Sequence, residues 1–266
     1  MAKYWFITLG ILVISVGTLR AQQTVFEETQ VLYASEMAGG VILHTRGLGV
    51  NFLYAKNLSG FRRVMYEAEL VGMKDPREIK TLSDYNNIRG YFYGKLNTLT
   101  ILRTSVGIQN TFIPKQSIRG VAISYDMSYG ISHGFVKPVY LSIAYSNDKP
   151  SFVIDEIRDE RYDPDRHFPD KILGRASYFK GYDKFSYYPG LFGKFGLNFE
   201  RSEDSDVINA LEVGVTLDVF LEPIPMMAFN ADQRFFYTFY VNLLFGKRKT
   251  YGDIKERKQK ALQQTE

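Results

Sequence analysis

Asp163, Asp165, His167 and Asp170 set one of the three histidines of the chain among acids. Carboxylate oxygens with one imidazole suit calcium or zinc. Arg158, Arg161, Arg166 and Lys171 are interleaved with them and offset their charge. A solvated, salt-bridged loop is therefore the simpler expectation, and neither a metal nor another cofactor is predicted. His44 and His133 lie far from this group in the sequence. No Ser–His–Asp spacing is discernible, and covalent catalysis needs a nucleophile activated by a neighbouring base. The expectation is a protein that is not an enzyme, with no catalytic residue nominated.

A second set of charges is more regular. Glu67, Glu69, Arg103, Asp126, Lys194, Glu212 and Asp218 lie in stretches where bulky apolar residues alternate with small or polar ones. Each falls on the small side. Residues that alternate along a strand point to opposite faces, so these seven would project into the interior of a barrel. There they would line a pore, build a catalytic constellation or pair with one another. A barrel of about ten strands has a narrow bore filled by side chains, which favours a mutually paired polar plug. A third set is aromatic. Tyr178, Phe179, Tyr182 and Phe185 fall in SYFKGYDKFSYYPG, residues 177–190. Exposed aromatics suggest a partner surface. A lid over a barrel mouth, or an outward continuation of the next strand, fits the same residues equally well.

The elements that would position these groups read as strands. In FFYTFYVNLLF, residues 235–245, Phe235, Tyr237, Phe239, Val241, Leu243 and Phe245 share one face. That face is continuously apolar, and the stretch is long enough to cross a bilayer at a tilt. Residues 120–132 alternate most cleanly, with Val121, Ile123, Tyr125, Met127, Tyr129 and Ile131 against small and polar partners. A helix would smear those two sets around its circumference. Similar alternation marks residues 41–56, 63–73, 87–96, 99–110, 139–145, 187–200 and 207–220. In residues 41–56, Ile42, Leu48, Val50, Phe52 and Tyr54 are read as one face. Residues 74–85, 111–119, 147–186 and 222–233 are loops. Nine strands are visible from Val41 onward, and an even count requires a tenth, placed at residues 24–34. The predicted fold is all-β, an antiparallel transmembrane up-and-down β-barrel of about ten strands, with eight strands and a decorated loop as the alternative. Long loops would face outward, and short turns and both termini the periplasm. A soluble barrel would also alternate. Long strands, charges recurring on the small face and aromatics near strand ends argue against it.

Composition agrees with a barrel: 20 Phe, 19 Tyr and 22 Gly among 266 residues. Residues 1–21 read as a cleaved signal peptide, with Lys3, an apolar run from Trp5 to Val16 and a cut between Ala21 and Gln22. An uncleaved anchor is the lesser alternative. Removing this leader takes Lys3 and Arg20 and no acid, which lowers the net charge from +4 to +2. Nothing along the strands suggests nucleic-acid binding. The chain has no Cys, which excludes a lipidated cysteine and a disulfide framework. Residues 22–246 would form the barrel. Residues 247–266, with seven basic and three acidic side chains, would form a periplasmic tail.

The stretches at 40–47 (GVILHTRG), 73–80 (MKDPREIK), 162–168 (YDPDRHF) and 222–229 (EPIPMMAF), with the Ala21–Gln22 junction, carry a resemblance. The chain resembles the small outer-membrane β-barrels of Bacteroidota, in the broad OmpX-like and PorT-like group. The resemblance implies fold and an outer-membrane location, reached by export, and no reaction. The expected role is a structural or accessory subunit of an outer-membrane assembly, in secretion or envelope biogenesis. Besides the lipid bilayer, its partners would be outer-membrane or periplasmic proteins, met through loop 147–186 and tail 247–266. A narrow small-solute pore and an outer-membrane enzyme are the alternatives. An open lumen with unpaired like charges would favour the pore, and a paired one the subunit.

Overall fold

A computed structural model describes residues 33–82, 90–115, 120–145, 154, 156–201 and 206–250. Its strands are β1 (Tyr33–His44), β2 (Gly47–Asn57), β3 (Arg62–Met73), β4 (Lys80–Thr81), β5 (Tyr91–Phe92), β6 (Asn97–Ile113), β7 (Ala122–Pro138), β8 (Tyr140–Tyr145), β9 (Glu156–Arg161), β10 (Ile172–Arg175), β11 (Ser186–Glu200), β12 (Val207–Ile224) and β13 (Gln233–Thr250). Eight of them close a barrel in the order β1-β13-β12-β11-β7-β6-β3-β2. Every neighbouring pair is antiparallel. The seam is a full ladder between β1 and β13, with Gly40 opposite Leu244 and His44 opposite Tyr240. Closure leaves the wall no unpaired edge.

The strand count is therefore eight, not about ten. Two features account for the difference. Residues 41–56 are not one strand: they hold the end of β1, a two-residue turn at Thr45 and Arg46, and most of β2. The turn reverses the chain, so Ile42 faces inward and is buried while Leu48, Val50, Phe52 and Tyr54 face outward. Gly47 follows the turn, and a Cβ there would collide with the carbonyl oxygen of Gly72. Conversely, residues 139–145 are not wall. They form β8, the centre of a separate three-stranded sheet ordered β10-β8-β9. That sheet alternates because Leu141, Ile143 and Ile172 bury one face against Tyr91 and Tyr162. Of residues 90–96, Tyr91 and Phe92 pair with β4, and Lys95 makes an isolated bridge to Met227.

The strand ends joined by connections 45–46, 74–96, 139–185 and 225–232 lie at one end of the barrel. Those joined by connections 58–61, 114–121 and 201–206 lie at the other, with the start of β1 and the end of β13. The loop at 111–119, expected among the outer loops, thus belongs to the end with the termini, and its first residues are strand. β13 continues through Thr250, so the first four residues assigned to a tail are wall. The leader (1–21), residues 24–32 and residues 251–266 lie outside the described residues.

Barrel strands of 11 to 18 residues exceed the usual length of globular strands. Their outer faces are apolar and exposed. On β13, Phe235, Tyr237, Phe239, Val241, Leu243 and Phe245 are 40–75% exposed, while Phe236, Tyr240 and Leu244 between them are buried. The barrel is packed within and greasy without.

Candidate functional site

Strand alternation turns one residue in two toward the axis, and closure brings those residues together from strands distant in sequence. The structure places Glu67, Glu69, Arg103, Asp126, Lys194, Glu212 and Asp218 all inside, each 6% exposed or less. Arg103 donates Nε to Asp218 Oδ1 at 3.0 Å, Nη2 to Asp218 Oδ2 at 2.6 Å and Nη1 to Glu69 Oε2 at 2.9 Å. Ser132 Oγ also donates to Asp218, and the Phe192 ring lies 4.8 Å from the guanidinium. Lys194 Nζ reaches Glu67 Oε1, Glu69 Oε1 and Glu212 Oε1 at 2.9, 2.9 and 3.1 Å. Asn51 donates to Glu67, and Tyr240 and Asn242 donate to Glu212. A buried charge is tolerated only when paired and hydrogen-bonded. Six of the seven charges meet that condition through direct ion pairs.

Asp126 is the exception. It is 2% exposed, and its Oδ1 has no hydrogen-bond partner among the described residues, nor has Asn198 Oδ1. Both residues line a cavity of about 20 Å³, with Glu67 and Glu212. That is room for roughly one water molecule.

Glycines make space for this network. Gly196 and Gly214 are cross-strand partners, and the Tyr240 phenol lies over both, reaching Glu212 where a Cβ would stand in its way. A pocket for one long polar side chain thus comes from two residues without side chains.

Two further layers close the bore. Toward the termini, Glu36 and Glu200 pair with Arg63 and Arg248. Sequence reasoning nominated none of these four: Glu36 and Arg248 lie beyond the strand boundaries it drew, and Arg63 and Glu200 stand at the ends of theirs. Toward the long loops the interior becomes apolar, with Ile42, Val71, Leu99, Ile101, Phe220 and Phe236 packed on Met226 and Met227 of the last loop. That loop is tied back by Leu96 N to Met226 O and Ala228 N to Gly94 O. Above it, Lys95 pairs with Glu78 at 2.7 Å, Gln233 joins Asp75 to Arg46, and Tyr93 meets the rings of Phe229 and Tyr162. Burial beside Tyr93 pushes the Tyr162 phenol up to about 12.

The other sequence candidates fall outside the bore. Asp163 pairs with Arg166 and caps the Asp165 amide, while His167 takes the Asp163 amide on Nδ1 and meets Glu160 at 3.2 Å on Nε2. His167 is a buried loop fastener. Among the described residues no group of three or more His, Asp or Glu side chains is placed to hold a metal ion. Tyr178, Phe179, Tyr182 and Phe185 are brought together in one ring cluster. The cluster leans on the outer wall, where Phe185 touches Phe135 of β7.

No family model and no curated protein sequence matches the chain. Among solved structures it is similar to Ail, the attachment invasion locus protein of Yersinia pestis, in complex with the heparin analogue sucrose octasulfate. The identity is 10%, over 82% of this chain and 99% of that one, with a TM-score of 0.40. A likeness of that size carries no argument about function.

Proposed function

We propose that this chain is an integral outer-membrane β-barrel with a closed lumen, acting as a structural or accessory subunit of an envelope assembly and not as an enzyme. The observation that carries this reading is the inversion of polarity. Charged side chains are buried and paired inside, while large apolar side chains are exposed around the wall. Water rewards the opposite arrangement, and a bilayer rewards this one. The three blocking layers argue against conduction, so contacts fall to the loops and the tail. Export by the leader at 1–21 and kinship with the small barrels of Bacteroidota belong to the same proposal. Three of the motif stretches behind that kinship, at 73–80, 162–168 and 222–229, meet in one cap through Lys95, Tyr93 and their partners.

The test is a pull-down of the tagged protein from native outer membranes in gentle detergent, with co-purifying chains identified. Stoichiometric partners support the subunit reading and name the machine. Isolation alone, with steady conductance in planar bilayers, replaces it with the pore. Recovery in the soluble periplasmic fraction overturns the membrane placement.

A further inference from the structure

The aromatic turn at 177–185 has no use in the closed lumen, yet the fold holds it firmly. Gly181 takes a left-handed φ of 88° and packs against the Tyr140 ring. Lys180 N bonds to Ser177 O, and Lys180 Nζ meets Asp159 at 3.2 Å. Lys137, the last outward residue of β7, places Nζ 4.4 and 4.6 Å from the ring centres of Tyr178 and Tyr182. The pinned turn exposes its aromatic rings, with Phe179 80% exposed at the tip.

Two observations say what covers it. The first is continuity with the apolar wall. Ring contacts run from Tyr182 to Phe185 at 5.3 Å, on to Phe135 at 6.5 Å, and then to Tyr187 at 5.8 Å. Phe135 and Tyr187 are cross-strand partners on the outer face. The cluster therefore prolongs the greasy wall past the strand ends on the long-loop side. The second is charge. Arg175 and Lys184 are exposed beside the rings, against one acid of the turn, Asp183, while Lys180 is paired with Asp159. Aromatic rings with cations at their edge suit the boundary between acyl chains and anionic headgroups.

We infer that the turn at 177–185 is a membrane-interface anchor that seats its aromatic rings in the outer headgroup layer and takes phosphate-bearing lipid headgroups with Lys184 and Arg175. This rests on the membrane reading of the wall. It extends that reading to a loop and gives the loop a ligand class.

The chain's single Trp, Trp5, makes a clean test. In a Trp5→Phe background, Phe179→Trp and, separately, Phe239→Trp are reconstituted into vesicles of phosphatidylcholine with or without phosphatidylglycerol. Fluorescence is read against lipids brominated at shallow or deep acyl positions and against aqueous iodide. The wall indole of Phe239→Trp should be quenched by deep bromines and shielded from iodide. The turn indole of Phe179→Trp should be quenched by shallow bromines and shielded at least twofold from iodide, more so with anionic lipid. Lys184→Glu with Arg175→Glu should remove the anionic increment. If the wall indole reports lipid while the turn indole stays open to iodide and blind to bromine, the anchor is wrong and the membrane wall stands. If neither indole reports lipid, the membrane reading itself falls and the anchor with it. Shallow quenching indifferent to phosphatidylglycerol overturns the phosphate-headgroup assignment.

Discussion

Arg103 and Asp218 lie 115 residues apart, on strands that are not neighbours in the wall, and meet across the bore through two hydrogen bonds of 3.0 and 2.6 Å. This fork ties β6 to β12 through the interior, independently of the ladder around the rim. A bidentate pair fixes orientation as well as distance, and both partners are at most 1% exposed.

Arg103→Met should therefore be costly, because it leaves Asp218 buried without its cation and Glu69 with Lys194 alone. Removing one partner of a buried pair typically costs about 3–5 kcal/mol. Arg103→Met combined with Asp218→Asn should recover part of that loss. The folded fraction in urea, followed by the heat-dependent shift of the barrel on gels, reads both. Equal midpoints for wild type and Arg103→Met would show that the fork is ornamental.

Gly193 and Gly214 should respond oppositely to alanine. A Cβ at Gly193 meets nothing within 4 Å, on the outer face. At Gly214 it would strike the Phe195 carbonyl and crowd the Tyr240 hydroxyl. Overpacking of this kind costs about 1–3 kcal/mol. Gly193→Ala should leave the urea midpoint unchanged, and Gly214→Ala should lower it.

Charge on the wall should be penalised by depth. Val241 lies near the middle of β13 and Phe235 near its long-loop end. Val241→Arg should cost about 2–4 kcal/mol in lipid vesicles and Phe235→Arg about 0–1 kcal/mol. Equal small effects at both sites would count against a bilayer around β13.

The small sheet outside the barrel should loosen in acid. A hydrogen bond from Ser142, with Lys180 as the second partner, holds the Asp159 carboxyl below its ordinary 3.8. A carboxyl lowered in the folded state adds stability above its unfolded pKa and loses it as pH falls through the folded one. Protection against hydrogen exchange at 140–145 and 156–161, taken relative to the intrinsic rate at each pH, should therefore be high at pH 5 and lower below the ordinary aspartate range. Asp159→Asn should flatten that dependence. A pH response unchanged in the variant would move its origin to another group.

The sequence by itself determined the fold class, the polarity of the wall strands from β3 onward and the inward aim of seven charges. These follow from period-two alternation, a local property written into every strand. It did not determine the strand number. The turn at Thr45 and Arg46 has none of the usual Gly, Pro or Asn punctuation, and it passes unseen between two alternating runs. Residues 139–145 alternate just as well, because any sheet with one buried face does so. The sequence could not assign the partners either. That Arg103 meets Asp218 and Glu69, that Lys194 gathers three carboxylates, and that Arg248 belongs to the bore and not to a tail depend on closure of β1 onto β13 and on the register around the wall. Those are long-range pairings, and only the tertiary structure decides them, because which charges face each other depends on the register of strands far apart in the chain.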